Sequence, residues 1–326
     1  MPASWAHRLA PAALRVYGRL RPYQTLTWSP FTWRDLEFNN RLGIAGGVDK
    51  DATDVQSWWT LGPGFIEIGT VTPLPQPGNS GRRVGRVTKE EAVWNRLGFP
   101  SRGAEFVAQR LKGLYQPRFT PLFANVGKNK DTSLENAHTD YITCLRKLRG
   151  LVDGFVINLS SPNTEGLRDL LKPEYLKSFL GPILDDNRQY TRGEWPTPIL
   201  LKVSPDLSED ELAEVLDTSL SLGIDGWILT NTTQGARESL PFPSDGGVSG
   251  KPLAATSKRL LAQTVAHLGE RRQDRLIISV GGVMSPEDVF ERLEMGADLV
   301  QVYSALLFRG PLFFRQVADQ AALKVR

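Results

Sequence analysis

The sequence is poor in the residues that staple or metallate a fold. It holds one cysteine, Cys144, and three histidines, His7, His138 and His267, in 326 residues. One thiol closes no intramolecular disulfide. Histidines this far apart assemble neither a Cys/His zinc site nor the ligand set of an iron–sulfur cluster. No uninterrupted apolar run reaches the ~18 residues of a membrane span. No basic–apolar–small cleavage pattern opens the chain, so secretion is not expected. Acid is missing from one stretch: residues 1–34 carry Arg8, Arg15, Arg19, Arg21 and Arg34 and neither Asp nor Glu. The net charge of +3 is thus a basic arm beside a roughly neutral remainder. Nucleic acid is not an expected partner, because no basic–aromatic stripe continues along the chain.

What is present is ordinary for a soluble enzyme: 40% hydrophobic and 23% charged residues. Thirty glycines and 22 prolines suggest many short connections. Eight β-type runs recur at 42–47, 65–71, 121–127, 154–160, 199–204, 226–232, 276–282 and 299–305. Most are continuously apolar, as strands buried on both faces of a parallel sheet are. Amphipathic stretches alternate with them. One, 208–222, opens on Ser208 and a cluster of acids and closes on Gly223.

Eight strands with helical crossovers predict an α/β fold, a (β/α)8 TIM barrel spanning 41–326 behind an N-terminal helical arm, 1–40. An open doubly wound sheet is the alternative, but its GxGxxG turn is absent from "GIAGGVDKD". In the arm, Leu9, Ala13, Val16 and Leu20 share a helix face with arginines opposite, and Pro11 starts or kinks that helix. The arm reads either as a cover on the barrel base or as an amphipathic surface anchor.

Two connections are long, 72–100 and 233–251, and both leave the C-terminal end of a strand, where barrel sites form. The first is proline-rich and not expected to be helical. The strand ends carry Lys50, Thr70, Asn125, Asn158, Ser160, Ser161, Asn163, Lys202, Thr230, Asn231 and Thr232. Such a ring is costly to bury unless it binds something, and it suits a planar ligand with carbonyl and amide edges. Gly281 and Gly282 after the seventh run, with Tyr303 and Ser304 after the eighth, occupy the usual phosphate position of a barrel. No acid–His pair or nucleophilic cysteine joins them. Ser161 is the candidate for proton transfer, and redox chemistry would need a cofactor.

The motifs "GGVDKD" (46–51), "EIGTVTPLPQPGN" (67–79), "NRLGF" (95–99), "NVGKNKDT" (125–132), "INLSSPNT" (157–164), "TNTT" (230–233), "GGVSGKPL" (246–253), "SVGGV" (279–283) and "VQVYSALLFRGP" (300–311) resemble the quinone-dependent class of dihydroorotate dehydrogenase, from about residue 7 onward. The resemblance implies one FMN per chain. Gly46, Gly47, Val48, Asp49, Lys50, Thr70, Asn125, Asn158, Lys202 and Thr230 would hold its ring and ribityl chain. Gly250, Gly282, Tyr303 and Ser304 would hold its phosphate. It implies a dihydroorotate/orotate site of Lys50, Asn95, Arg96, Leu97, Gly98, Phe99, Asn158, Asn163, Asn231 and Thr232. Ser161 would be the base, with Thr164 and Phe99 at the proton relay and its cover. His7 and Arg86 match quinone-side positions.

The same resemblance implies a role in pyrimidine synthesis, a membrane quinone as acceptor, peripheral contact through the arm on the cytoplasmic side, and a monomer. The chain departs from the pattern in carrying one helix, not two, before the barrel. A soluble acceptor is the alternative that this favours and that Ser161, where that class has Cys, opposes. A dihydrouridine synthase, another FMN barrel, is not expected to combine "SSPNT", "KNKDT" and "NRLGF".

Overall fold

The computed structural model describes residues 14–18, 23, 25–116, 118–192, 195–237 and 240–324. His7 and 18 of the arm's 40 residues lie outside them. Eight parallel strands close into a barrel: β1 (Leu42–Asp49), β2 (Phe65–Val71), β3 (Leu122–Val126), β4 (Gly154–Asn158), β5 (Ile199–Val203), β6 (Gly226–Leu229), β7 (Leu276–Val280) and β8 (Leu299–Val302). Closure comes from β8 on β1, with Val300 opposite Leu42 and Val302 opposite Ile44. This excludes the open sheet. Each expected run is a strand, but most strands stop short of the run's end. The residues beyond 158, 203, 229 and 280 leave the ladder and are free to face a ligand.

The continuous apolarity has two destinations. Inward positions Phe65, Phe123, Val156, Leu200, Ile228, Ile278 and Leu299 fill the barrel. Outward positions such as Ile66, Ile68, Leu201, Val203 and Val300 pack against the crossover helices. The helix Glu209–Leu222 forms as its ends dictate. Ser208 Oγ accepts the Glu211 N–H (3.2 Å), the Glu211 carboxylate accepts the Ser208 N–H (2.8 Å), and Gly223 takes the left-handed φ of 85° that ends it.

A hairpin, Phe31–Trp33 with Leu36–Phe38, plugs the barrel floor, and Trp33 and Phe38 join the interior cluster. Residues 31–38, assigned to the arm from sequence, thus pack with the barrel. Arg34, one of the five arginines of the basic stretch, is 9% exposed and pairs with Asp225 at 2.6 Å. That charge braces the floor. Residues 14–18 are helical, and Arg15 pairs with Asp54. Among the described residues no helix is long and apolar enough to cross a membrane.

The two long connections do not stay separate. Val84–Val87, Ala92–Asn95 and Gly247–Gly250 form one three-stranded antiparallel sheet over the C-terminal mouth of the barrel. Its own small core is Trp94, Ala92 and Val248. Trp94 stacks on Phe242 with ring centroids 6.3 Å apart and donates to the Asp245 carbonyl at 2.6 Å. The sheet carries Asn95 and Gly250 to the mouth.

Candidate active site

Along each barrel strand the inward positions alternate, so the register above Phe65, Phe123, Val156, Leu200 and Leu299 falls on Glu67, Asn125, Asn158, Lys202 and Gln301. The interior turns from apolar to polar at this layer, and all five side chains are buried. Buried polar groups must bond one another or a ligand. Glu67 accepts from Asn125 Nδ2 (2.6 Å) and Lys202 Nζ (3.0 Å) on Oε1, and from Gln301 Nε2 (2.7 Å) on Oε2. Asn125 Oδ1 accepts from Thr70 Oγ1 (2.6 Å) and Asn158 Nδ2 (3.1 Å). Asn158 Oδ1 accepts from Asn231 Nδ2 at 3.2 Å. Neither Glu67 nor Gln301 was singled out from sequence. The available signal was a lone polar residue at an inward register of a strand, in "FIEIGTV" and "LVQV".

A cleft opens above this layer. Of the residues expected to meet cofactor or substrate, the structure brings together Gly46, Gly47, Lys50, Thr70, Asn95, Leu97, Gly98, Phe99, Asn125, Asn158, Ser161, Asn163, Lys202, Thr230, Asn231, Thr232, Gly250, Gly282, Tyr303 and Ser304. Others lie elsewhere. Asp49 turns away and accepts the Thr53 and Asp54 N–H groups, both at 2.9 Å, while burial pushes its carboxyl up to about 6. Val48 packs on the barrel–helix core. Arg96 leaves the cleft to bond Asp245 (2.9 Å) and the Ser80 carbonyl (2.8 Å). Thr164 lines a neighbouring polar cleft with Lys128 and Lys130, which shares Gly98 and Asn163 as its wall. Arg86 lies in the lid strand opposite Val93 and does not line the cleft.

Three buried atoms of cleft residues have no partner: Asn163 Oδ1, Thr232 Oγ1 and Gln301 Oε1. Two are acceptors that need an incoming N–H, and the hydroxyl can give or accept. Gly47 takes a φ of 96°, which residues with a side chain rarely adopt; a Cβ there would only touch the Tyr303 ring at 3.4 Å and Lys50 Nζ at 3.7 Å, so the backbone conformation is what calls for glycine. Burial lowers Lys50 to about 8. Ser161 is buried, and its Oγ accepts the Asn163 N–H at 3.2 Å.

At the other end of the cleft, Gly281 and Gly282 turn through φ 110° and 70°, and Ser304 Oγ lies 3.2 Å from Ser249 Oγ. Arg292, from the helix Pro286–Glu294, braces this turn from behind. Its guanidinium donates to Ser279 Oγ (3.0 Å), Ser257 Oγ (2.8 Å), the Gly281 carbonyl (3.0 Å) and the Ala254 carbonyl (3.2 Å). Nothing in the sequence marked Arg292, since its partners come from two other elements, β7 with its turn and the helix Ala254–Leu268.

The family model for dihydroorotate dehydrogenase matches residues 31–324. The chain belongs to the dihydroorotate dehydrogenase family. Within it, a Thermus thermophilus protein named dihydroorotate dehydrogenase (quinone) is 46% identical over 286 residues, covering 86% of this chain and 79% of the relative. One of the same name from Acidithiobacillus ferrooxidans is 42% identical over 334 residues, covering 97% and 90%. The solved structure of a dihydroorotate dehydrogenase from Eimeria tenella in complex with ferulenol superposes with a TM-score of 0.88 at 32% identity, covering 99% of this chain and 91% of that one.

Proposed function

We propose that this protein oxidises dihydroorotate to orotate with FMN and passes the electrons to a quinone, in pyrimidine synthesis. The observation that carries the reading is the set of orphaned polar atoms in the cleft. Asn163 Oδ1 and Thr232 Oγ1 lie unpartnered in a cleft that Lys50 and Ser161 also line. A dihydropyrimidine carboxylate offers the N–H edge, the C=O edge and the anion these groups require. The family and the names of the relatives support the same reaction.

The residues present fit the cofactor. Gly46, Gly47, Thr70, Asn125, Lys202 and Thr230 would hold the flavin ring and ribityl chain, and Gly250, Gly282, Tyr303 and Ser304 the phosphate, where positive-φ glycines expose backbone N–H groups. Val48 and Asp49 would contribute backbone alone. Bound FMN supplies the acceptor for the hydride leaving C6 and the onward route for two electrons. Lys50 holds the substrate carboxylate. Asn95, Asn158, Asn163, Asn231 and Thr232 orient the ring, with Leu97, Gly98 and Phe99 closing over it and Arg96 tying their loop to Asp245. Ser161 Oγ takes the proton from C5, and Thr164, in the adjoining polar cleft, passes it toward water. Excluding water from the main cleft strengthens each of these contacts. On the acceptor side, Arg86 would meet the quinone; His7, the other position that the resemblance implies, lies outside the described residues, and the reading includes a peripheral, monomeric contact of the arm with the cytoplasmic face of the membrane.

The test is direct. Purified protein is expected to be yellow with about one FMN per chain and to oxidise dihydroorotate faster with a short-chain quinone than with fumarate or NAD⁺. A colourless protein, or a flavin that dihydroorotate does not bleach, rejects the reading. Faster turnover with fumarate rejects the acceptor alone.

A further inference from the structure

We propose that Glu67 is a positioning residue that sets the hydrogen-bond direction of the active-site ring and holds the charge of Lys202 in check. The inference rests on the flavin reading above and goes beyond it, to a residue beneath the ligands.

Glu67 is fully buried at the centre of the polar layer. A carboxylate only accepts, so every neighbour must present an N–H. Asn125 and Gln301 therefore turn their Nδ2 and Nε2 groups inward to Glu67. Their carbonyl oxygens are forced the other way. Gln301 Oε1 is left buried without a partner, in a side chain that lines the cleft. Asn125 Oδ1 becomes an acceptor for Thr70 and for Asn158 Nδ2, which aims Asn158 Oδ1 at Asn231 Nδ2. Asn231 Oδ1 then accepts the Thr232 N–H at 2.8 Å. One acceptor on β2 thus orders amides on β8, β3 and β4 and round to the end of β6. Without it, each amide could flip and offer a ligand the wrong edge.

The electrostatic consequence follows from Lys202. Its ammonium is 3.0 Å from Glu67 Oε1, and both side chains are buried, so the pair puts close to zero net charge at the cleft floor. Removing the carboxylate charge leaves a buried cation facing the cofactor. A buried cation favours the form of the cofactor that carries more negative charge, the reduced one.

Glu67→Gln keeps shape and tests both roles. Its bound flavin is expected to bind at least tenfold more tightly when reduced relative to oxidised than in the native protein. That is a midpoint shift of about +30 mV or more for two electrons. Dihydroorotate affinity in the same variant is expected to fall at least tenfold as the ring loses its direction. An unchanged midpoint overturns the charge role, and unchanged substrate affinity overturns the directing role. Where E67Q does not fold, the comparison of K202Q with K202Q/E67Q replaces it. In K202Q the lone carboxylate is expected to lower the midpoint, and the second change to raise it again. Equal midpoints there overturn the proposal. A native protein without flavin would instead reject the functional reading, and the two failures are told apart by colour alone.

Discussion

Asn163 reaches Asn95 across the mouth of the cleft, its Nδ2 donating to Asn95 Oδ1 at 3.0 Å. One residue follows β4 and the other ends a lid strand, so this bond ties the barrel to its cover. It also leaves Asn163 Oδ1 without a partner, free to accept from the ring of the proposed substrate. Asn163→Ala removes both functions. Losing a hydrogen bond to a buried group costs about 1–3 kcal/mol, so the dihydroorotate KM is expected to rise about 10–100-fold with FMN content unchanged. Steady-state kinetics checks this, and an unchanged KM would remove Asn163 from the substrate site.

Ser161 carries the proton step in the proposed reaction. Ser161→Ala is expected to lower kcat by about 10²–10⁴, the usual contribution of a positioned base, while the protein stays yellow. Stopped-flow bleaching by dihydroorotate locates the loss in flavin reduction. Near-native reduction in this variant would mean that another group takes the proton.

Lys50 gives the pH dependence. Burial holds it at about 8, below its ordinary 10.5. It is cationic below about pH 8 and neutral above, so affinity for the anionic substrate is expected to be full below pH 8 and to fall toward tenfold per unit above it. Stability runs the other way. The penalty for a buried ammonium is complete below pH 8 and is relieved as pH rises from 8 to 10.5, because the unfolded chain binds more protons in that window. Lys50→Gln should flatten both profiles. A KM–pH profile that keeps its break near 8 in this variant would assign the titration elsewhere.

Arg292 is expected to matter through the Gly281–Gly282 turn, the phosphate end in the proposed reading. Arg292→Met leaves the Gly281 carbonyl and two serine hydroxyls short of a donor. The loss is estimated at about 2–4 kcal/mol of stability, with weaker FMN retention on dialysis. Urea unfolding and flavin fluorescence measure the two separately. Unchanged FMN retention would confine Arg292 to stability.

Cys144 lies in the helix Ala137–Leu148, fully buried, and burial raises its thiol well above the ordinary range. A thiol reagent is therefore expected to label it only as fast as the chain opens. Rapid labelling of the folded protein would contradict the burial of Cys144.

Much of this was readable from the chain. The eight barrel strands, the capped helix after Ser208, and the cluster of amides and lysines at strand ends follow from local pattern: apolar continuity, turn chemistry, and side chains that only a ligand satisfies. Asp49 and Arg96 show the limit. Both sit inside motifs that point to the site, yet Asp49 caps the turn at 53–54 and Arg96 bonds Asp245 in the second lid connection.

Sequence by itself determined that this is a barrel, which strand ends gather the polar side chains of the cleft, and that Ser161 rather than Cys144 stands among them. Tertiary structure alone decided who bonds whom. Glu67 meets Lys202 and Gln301 across 135 and 234 residues of chain. The two long connections pair into one sheet, and Arg34 braces the barrel floor. The reason is physical: strand and helix periods are local properties of a few residues, whereas a buried charge finds its partner only when barrel closure brings distant strands to one layer.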